Sequence, residues 1–267
     1  MNLFHAFLLG LIEGITEFIP VSSTAHQLIV QKLFNIPADN VMFAFIILIQ
    51  IGPLVALIVY FWKDLWLLTK AFFARPFSTF ENKLAWFIII ATIPGALSGV
   101  LLKNVIQGLF QNPLLEAAIR LFTAAILLFL AEWLGRRIRS LESMTSLDAL
   151  IIGVFQVLSV FPGASRSGSA IAGGMLRNFD RPAATRFAFL MSTPILLAAA
   201  ALESYSALKE HILRQLLPPL AVGFIVSGIV GLISIRWLIN FVKTHSLYVF
   251  AIYCAIVGAL CLVFLFI

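Results

Sequence analysis

The sequence predicts an all-α polytopic membrane protein with about six transmembrane helices plus two broken re-entrant helical hairpins, arranged as an inverted-topology repeat. Three observations predict it. The 267 residues are 61% hydrophobic and 11% charged, with a mean hydropathy of +1.05, whereas soluble domains carry about 25% charged residues. Val41–Trp62, Leu84–Leu102, Leu216–Ile235 and Ser246–Ile267 contain no Asp, Glu, Lys or Arg, and each approaches the ~20 residues a helix needs to cross a bilayer. Two further apolar regions are interrupted midway by polar residues, and they resemble each other. Strand-like alternation is absent, which argues against a β-barrel.

The elements follow in order. Met1–Phe34 holds a short apolar piece, then Glu13, Glu17, Pro20 and a hydroxyl cluster, and is expected to form two half-length helices joined at a break. Spans follow at Val41–Trp62, Leu84–Leu102 and Leu114–Leu134, the last carrying Glu116 and Arg120 as an i, i+4 pair near one end. A basic loop, 135–146, links the expected repeat halves, 1–134 and 147–267, of a single integral membrane domain. Leu147–Leu176 is the second broken region, an apolar piece followed by "FPGASRSGSAIAGG". Spans at Ala183–Leu202, Leu216–Ile235 and Ser246–Ile267 complete the chain. Broken helices persist at membrane depth only where they are buried in protein or line a wet cavity.

The net charge is +6. In a membrane chain, basic loops orient helices and touch anionic lipid, so no nucleic-acid partner is expected. With alternating loops, twelve basic residues fall on one side (Lys63, Lys70, Arg75, Lys83, Arg136, Arg137, Arg139, Arg177, Arg181, Arg186, Arg236, Lys243) and four on the other (Lys32, Lys103, Lys209, Arg214). The richer side is expected to be cytoplasmic, with both termini outside. The first hairpin then enters from outside and the second from the cytoplasm. Cys254 and Cys261 share one face of the last span, and no CxxC pattern occurs. The start, "MNLFHAFLLGLIE", lacks a basic region and a clear cleavage site, so no signal peptide is expected.

Hairpins entering from opposite sides should leave a trace of repetition. Sliding the chain by 143 residues lays "GLIEGITEFIPVSST" from Gly10 on "GVFQVLSVFPGASRS" from Gly153. Gly10 meets Gly153, Glu13 meets Gln156, Thr16 meets Ser159, Phe18 meets Phe161, Ser22 meets Ser165 and Thr24 meets Ser167. Inverted repeats place their site near the midplane, where the broken helices of the two halves meet. The two interrupted stretches should therefore face each other.

Their chemistry is complementary. Ser165, Arg166, Ser167 and Ser169 surround one guanidinium with hydroxyls, and Gly163 and Gly168 permit exposed backbone N–H groups. A helix from about Ser169 would point its positive end at this loop, which suits an anion such as phosphate. Glu13 and Glu17 share a helix face. They are placed to share a proton, to bind a divalent cation, or to pair with Arg166. Ser22, Ser23 and Thr24 are placed to cap the second half-helix, to bind phosphate oxygens, or to supply a nucleophile. His26 is a candidate nucleophile or general acid. His5, His211 and His245 lie at span ends or in loops and are read as structural. Ionisable groups inside a membrane cost at least a few kcal/mol each, so their concentration here indicates a site. Acid–base groups, an anion clamp and a possible metal point to phosphoryl transfer to water, and the bilayer placement points to a lipid-borne phosphate.

"EGITEFIPVSSTAH" and "PGASRSGSAIAGGML", with "FAFLMSTP" after them, are similar to the signature regions of the undecaprenyl-diphosphatase family, the bacitracin-resistance BacA/UppP type. The resemblance runs the length of the chain. It implies a bacterial inner-membrane enzyme that removes the terminal phosphate of undecaprenyl diphosphate, returning the monophosphate lipid carrier to peptidoglycan synthesis. It also implies dependence on a divalent cation, Mg²⁺ or Ca²⁺, and a site opening to the outer, periplasmic face. The family's glutamate pair falls on Glu13 and Glu17, its Ser-Ser-Thr run on Ser22, Ser23 and Thr24, its histidine on His26, and its Ser-Arg-Ser on Ser165, Arg166 and Ser167. The chain departs from the pattern at Ala25, where Gly is frequent, and at Ala170, where a Thr hydroxyl is lost.

On this basis Glu17, His26, Arg166 and Ser23 are the expected catalytic residues. Ser22, Thr24, Ser165, Ser167 and Arg166 are expected to hold phosphate, and Glu13 and Glu17 the metal. The competing reading is a transporter or flippase of a prenyl phosphate lipid, since inverted repeats with broken helices are common among carriers. The sequence leaves the nucleophile open between His26, Ser23 and water, and the oligomeric state open, with a homodimer among the candidates.

Overall fold

The computed structural model describes residues 2–37, 39–101, 112–159, 164–209 and 213–266. Twelve α-helices occur among them: α1 (Leu3–Thr16), α2 (Ser23–Leu33), α3 (Asn40–Ile49), α4 (Ile51–Tyr60), α5 (Trp62–Phe72), α6 (Phe80–Leu101), α7 (Pro113–Leu134), α8 (Ser146–Val157), α9 (Arg166–Leu176), α10 (Arg181–Lys209), α11 (Leu213–Thr244) and α12 (Tyr248–Phe266). Six stretches are long and apolar enough to cross a membrane, at Val41–Tyr60, Phe80–Gly99, Pro113–Leu134, Arg181–Tyr205, Leu216–Phe241 and Tyr248–Leu265. They match the six expected spans within a few residues at each end.

Local chemistry sets the helix starts. Asn112 caps α7, accepting from the backbone N–H of Leu114 at 3.0 Å, with Pro113 at the first helical position. Thr145 and Asp148 form a reciprocal capping box on α8. One element differs from expectation. The stretch holding Lys63 and Lys70, read as loop, is helix α5. Trp62 and Trp66 stack on its exposed face and the Lys70 ammonium lies 4.7 Å from the Trp66 ring. Trp and Lys are residues of the membrane–water boundary, so a helix there registers in sequence as a charged interruption.

Each of the two interrupted regions holds two short helices among the described residues, α1 and α2 in the first, α8 and α9 in the second. Part of the second break, residues 160–163, lies outside the described residues, and with it Phe161 and Gly163. The packing is reciprocal: α1 lies against α11, and α8 against α6. Each contact runs through a glycine. A methyl group on Gly10 would lie 2.7 Å from the Gly223 carbonyl oxygen, and one on Gly153 would collide with the Ala91 carbonyl. Small residues that let backbones approach are the usual means of joining helices in lipid. The second half-helices, α2 and α9, both rest on α7, and α12 packs along α7 as well.

The C-terminal end of α7 carries a separate charge cluster. Glu132 takes both arms of Arg181 at 2.6 and 2.7 Å, and Arg137 at 2.6 Å. Asp148, in the first turn of α8 and outside the six spans, binds Arg139 and Arg177, each at 2.7 Å. Burial pushes the Asp148 carboxyl up, but the bonds from Arg139, Arg177 and Thr145 outweigh it and hold the group well below the usual carboxylate range. These pairs tie the 135–146 loop to the α9–α10 junction.

Candidate active site

The two breaks meet at a cavity of about 260 Å³. Glu17, Ser22, Ser23 and Thr24 line it from the first break, and Ala164, Ser165 and Arg166 from the second. Helix α2 begins at Ser23, with Ser22 as N-cap accepting from the Ala25 N–H at 3.4 Å. Helix α9 begins at Arg166, with Ser165 as N-cap accepting from the Gly168 N–H at 3.2 Å. The second helix thus starts three residues before the expected Ser169, because the Ser165 hydroxyl supplies the cap. Two helix N-termini, each with partial positive charge, open on one cavity.

Glu17 is the hub. Its Oε2 accepts a hydrogen bond from the Ser23 hydroxyl at 2.7 Å, and its Oε1 lies 3.5 Å from Arg166 Nη1. Arg166 Nη2 donates to Gln50 Oε1 at 3.3 Å, while Nη1 is buried with no hydrogen-bond partner. A guanidinium N–H left unmet at a cavity wall is suited to an incoming anion. Ser167 donates to the Glu17 carbonyl at 3.2 Å and lies 3.2 Å from the Ser165 hydroxyl, so it joins the two breaks from behind the cavity.

The remaining expected residues sit off the cavity wall. His26 is buried, with Nδ1 2.8 Å from the Ser22 carbonyl and Nε2 2.8 Å from the Tyr253 hydroxyl. Nδ1–H therefore donates to Ser22 and Nε2 accepts from Tyr253. Ser22 carries a left-handed backbone, φ 70°, so the ring braces a strained N-cap. Glu13 lies one turn back from Glu17, fully buried, with the Gln27 amide donating to Oε2 and Oε1 left without a partner.

The arrangement suits a hard cation in part. Glu13 and Glu17 lie one turn apart at the end of α1, and the unmet Glu13 oxygen is the kind of donor such an ion takes. No group of three or more His, Cys, Asp or Glu placed to hold a metal occurs among the described residues.

Several further residues belong to the site. Gln50, the one amide in the run Val41–Trp62, holds Arg166. Arg120 binds its i, i+4 partner Glu116 at 2.8 Å and also lines the cavity. Gln156 and Ser159, the repeat-mates of Glu13 and Thr16, are cavity walls as well. Gln27 and Tyr253 act on Glu13 and His26 across 14 and 227 positions of sequence, which no local pattern signals.

With this geometry in place, known proteins give a consistent result. The family described as Bacitracin resistance protein BacA matches residues 6–260. The chain is 40% identical to the undecaprenyl-diphosphatase of Anaeromyxobacter dehalogenans, over 97% of this chain and 90% of that one. It is 35% identical to the protein of the same name from Desulforudis audaxviator, over 97% and 96% of the two chains. Identity to that of Caldicellulosiruptor bescii is 37%, over 99% and 98%.

Proposed function

The chain belongs to the bacitracin resistance protein BacA family, and from that membership and the cavity we propose that it is a membrane-embedded undecaprenyl-diphosphate phosphatase. It hydrolyses the terminal phosphate to give undecaprenyl phosphate and inorganic phosphate, recycling the cell-wall lipid carrier. The carrying observation is the Ser23–Glu17 hydrogen bond at 2.7 Å with Arg166 beside it. A hydroxyl bonded to a carboxylate, at a cavity where anions are favoured, is a nucleophile with its base.

Ser23 Oγ attacks the terminal phosphorus and its proton passes to Glu17. The bond from phosphorus to the bridging oxygen breaks, and that oxygen leaves with the lipid monophosphate. Water then attacks the phosphoserine, Glu17 returns its proton to Oγ, and the proton from water stays on the released phosphate. Arg166 and the two helix N-termini balance the charge that develops on the phosphoryl oxygens. Ser22, Thr24 and Ser165 shape the phosphate pocket, and Ser167 holds the two breaks in register. His26, with both ring nitrogens engaged, positions Ser22 rather than attacking phosphorus. Mg²⁺ or Ca²⁺ held by Glu13 and Glu17 would supply further neutralisation of the diphosphate.

In the same proposal the halves 1–134 and 147–267 form an inverted repeat of re-entrant hairpins. The reciprocal packing of α1 on α11 and α8 on α6 supports it. The enzyme resides in the bacterial inner membrane, with its site open to the periplasmic face and both termini outside, as the basic-residue asymmetry supports. The test is phosphate release from a prenyl diphosphate by purified protein in detergent, where a carrier has no gradient to act on. Wild type should release phosphate and Ser23→Ala should lose at least roughly a thousandfold in kcat. Full activity in Ser23→Ala, or a phosphoryl group trapped on His26, would overturn the mechanism.

A further inference from the structure

The proposed chemistry uses part of the cavity lining. The rest comes from α6, α7, α10 and the end of α8. Arg120 reaches the cavity from α7, the helix on which both α2 and α9 rest. Its Nε–H and one terminal N–H donate to Glu116 Oε1 at 2.9 and 2.8 Å. A guanidinium has five donors, so Glu116 fixes this fork without exhausting it. Gln156 reaches the cavity from α8. It is 2% exposed, and its Oε1 is buried with no partner. A carboxamide that is buried, unpartnered and on a cavity wall is costly unless a ligand or water completes it. Turning about its last bond, it presents either an N–H or an oxygen. Ser159 beside it directs its own hydroxyl hydrogen to the Gln156 carbonyl at 2.7 Å and is not counted as a donor to ligand.

The contrast with the first half is chemical. The position related to Glu13 by the 143-residue shift is Gln156, an uncharged amide. A carboxylate there would repel a phosphate. The amide does not, and with Arg120 it supplies a second set of anion-binding groups to the cavity that Arg166 lines. Space is provided by Gly99 of α6, which lines the same cavity; a methyl group built on it meets nothing within 4 Å.

We propose that Arg120 and Gln156 form a subsite for the second phosphate of the substrate, the one retained on the lipid, so that this part of the lining selects a diphosphate over a lone phosphate. The proposal rests on the phosphatase reading above. With Ser23 and Arg166 acting on the terminal phosphate, the retained phosphate lies against Arg120 and Gln156, and the product monophosphate is held there until it leaves.

Steady-state kinetics on a prenyl diphosphate test it, with a prenyl monophosphate and inorganic phosphate as inhibitors. Arg120→Gln and Gln156→Leu should each raise KM roughly tenfold or more, as loss of a charge-assisted or buried hydrogen bond does. Both should weaken inhibition by the prenyl monophosphate in parallel and leave inhibition by inorganic phosphate unchanged. Arg120→Lys should recover part of the KM. Glu116→Gln, which keeps an acceptor oxygen for the guanidinium and removes only the charge, should raise KM by less than Arg120→Gln does. Gly99→Val should raise KM by filling the wall while leaving the fold intact, which keeps the proposal testable if an Arg120 variant fails to fold. Equal loss of affinity for the monophosphate and inorganic phosphate, or a Glu116→Gln loss as large as that of Arg120→Gln, would overturn the subsite and leave the phosphatase reading standing. Absence of phosphate release by the wild type would instead overturn the phosphatase reading.

Discussion

The first broken hairpin presents a carboxylate and three hydroxyl residues to the cavity; the second presents a guanidinium, a carboxamide and the hydroxyl residues Ser159 and Ser165. Their scaffolds are alike. Each second half-helix is capped by a serine, Ser22 or Ser165, and each first half-helix approaches a distant span through a glycine. At the first helical position, Ser23 in one hairpin stands where Arg166 stands in the other. The same backbone device therefore presents a nucleophile from one side and an anion clamp from the other. Their backbones differ at the cap. Ser165 is extended at φ −70°, while Ser22 is left-handed at φ 70° and braced by His26. The position matching His26 in the second hairpin is Ser169, whose hydroxyl is buried without a partner. The strained cap is thus found in the hairpin whose first residue is to react.

Replacing each of the two matched first residues separates their roles most strongly. Ser23→Ala should remove kcat by at least roughly a thousandfold with KM little changed, since the hydroxyl acts in the bond-making step. Arg166→Ala should lower kcat and raise KM together, because its charge is felt by bound substrate and by the transition state. Initial rates of phosphate release across a range of prenyl diphosphate concentrations distinguish the two. Identical effects on both constants would dissolve the division of labour between the hairpins.

The matched pair His26 and Ser169 sharpens the comparison at a lower level. His26→Ala should cost about tenfold to a hundredfold in kcat, by releasing the strained Ser22 cap. Ser169→Ala should stay within about twofold in kcat and leave stability unchanged, because the hydroxyl it deletes makes no hydrogen bond. Paired kinetic and thermal-unfolding measurements in detergent decide this. Equal losses from the two substitutions would mean that the brace is no special feature of the first hairpin.

The sequence carries much of this contrast and omits a definite part of it. The six spans are legible because lipid demands about 20 apolar residues per crossing, and no tertiary contact alters that count. Glu17, Ser23, Thr24, Ser165 and Arg166 stood out because polar groups are conspicuous against hydrocarbon. Arg120 did not, because its i, i+4 partner Glu116 already explained it; a guanidinium has more donors than one carboxylate uses. Gln27 and Gln50 did not, because a search keyed to charge passes over uncharged amides. The division of roles between Ser23 and His26 was not legible either. It depends on which way an imidazole turns, and that is set by the Ser22 carbonyl and by Tyr253 on the last helix.

Tyr253 gives the smallest and most discriminating prediction. Its hydroxyl lies 2.8 Å from His26 Nε2, and the two rings are parallel within 4° at a centroid separation of 5.7 Å. Tyr253→Phe keeps the ring and removes only the hydrogen bond, which contributes about 1 kcal/mol in a typical case. If His26 positions Ser22, the imidazole loses one of its two anchors but keeps Nδ1 on the Ser22 carbonyl. The expected result is a kcat lower by about threefold to tenfold, an unchanged KM and an intact fold. If His26 were instead the nucleophile, freeing Nε2 from Tyr253 would expose its lone pair to substrate, and kcat should hold or rise. The sign of the change in kcat therefore separates a braced serine from an attacking histidine, and it does so without altering a residue that lines the cavity.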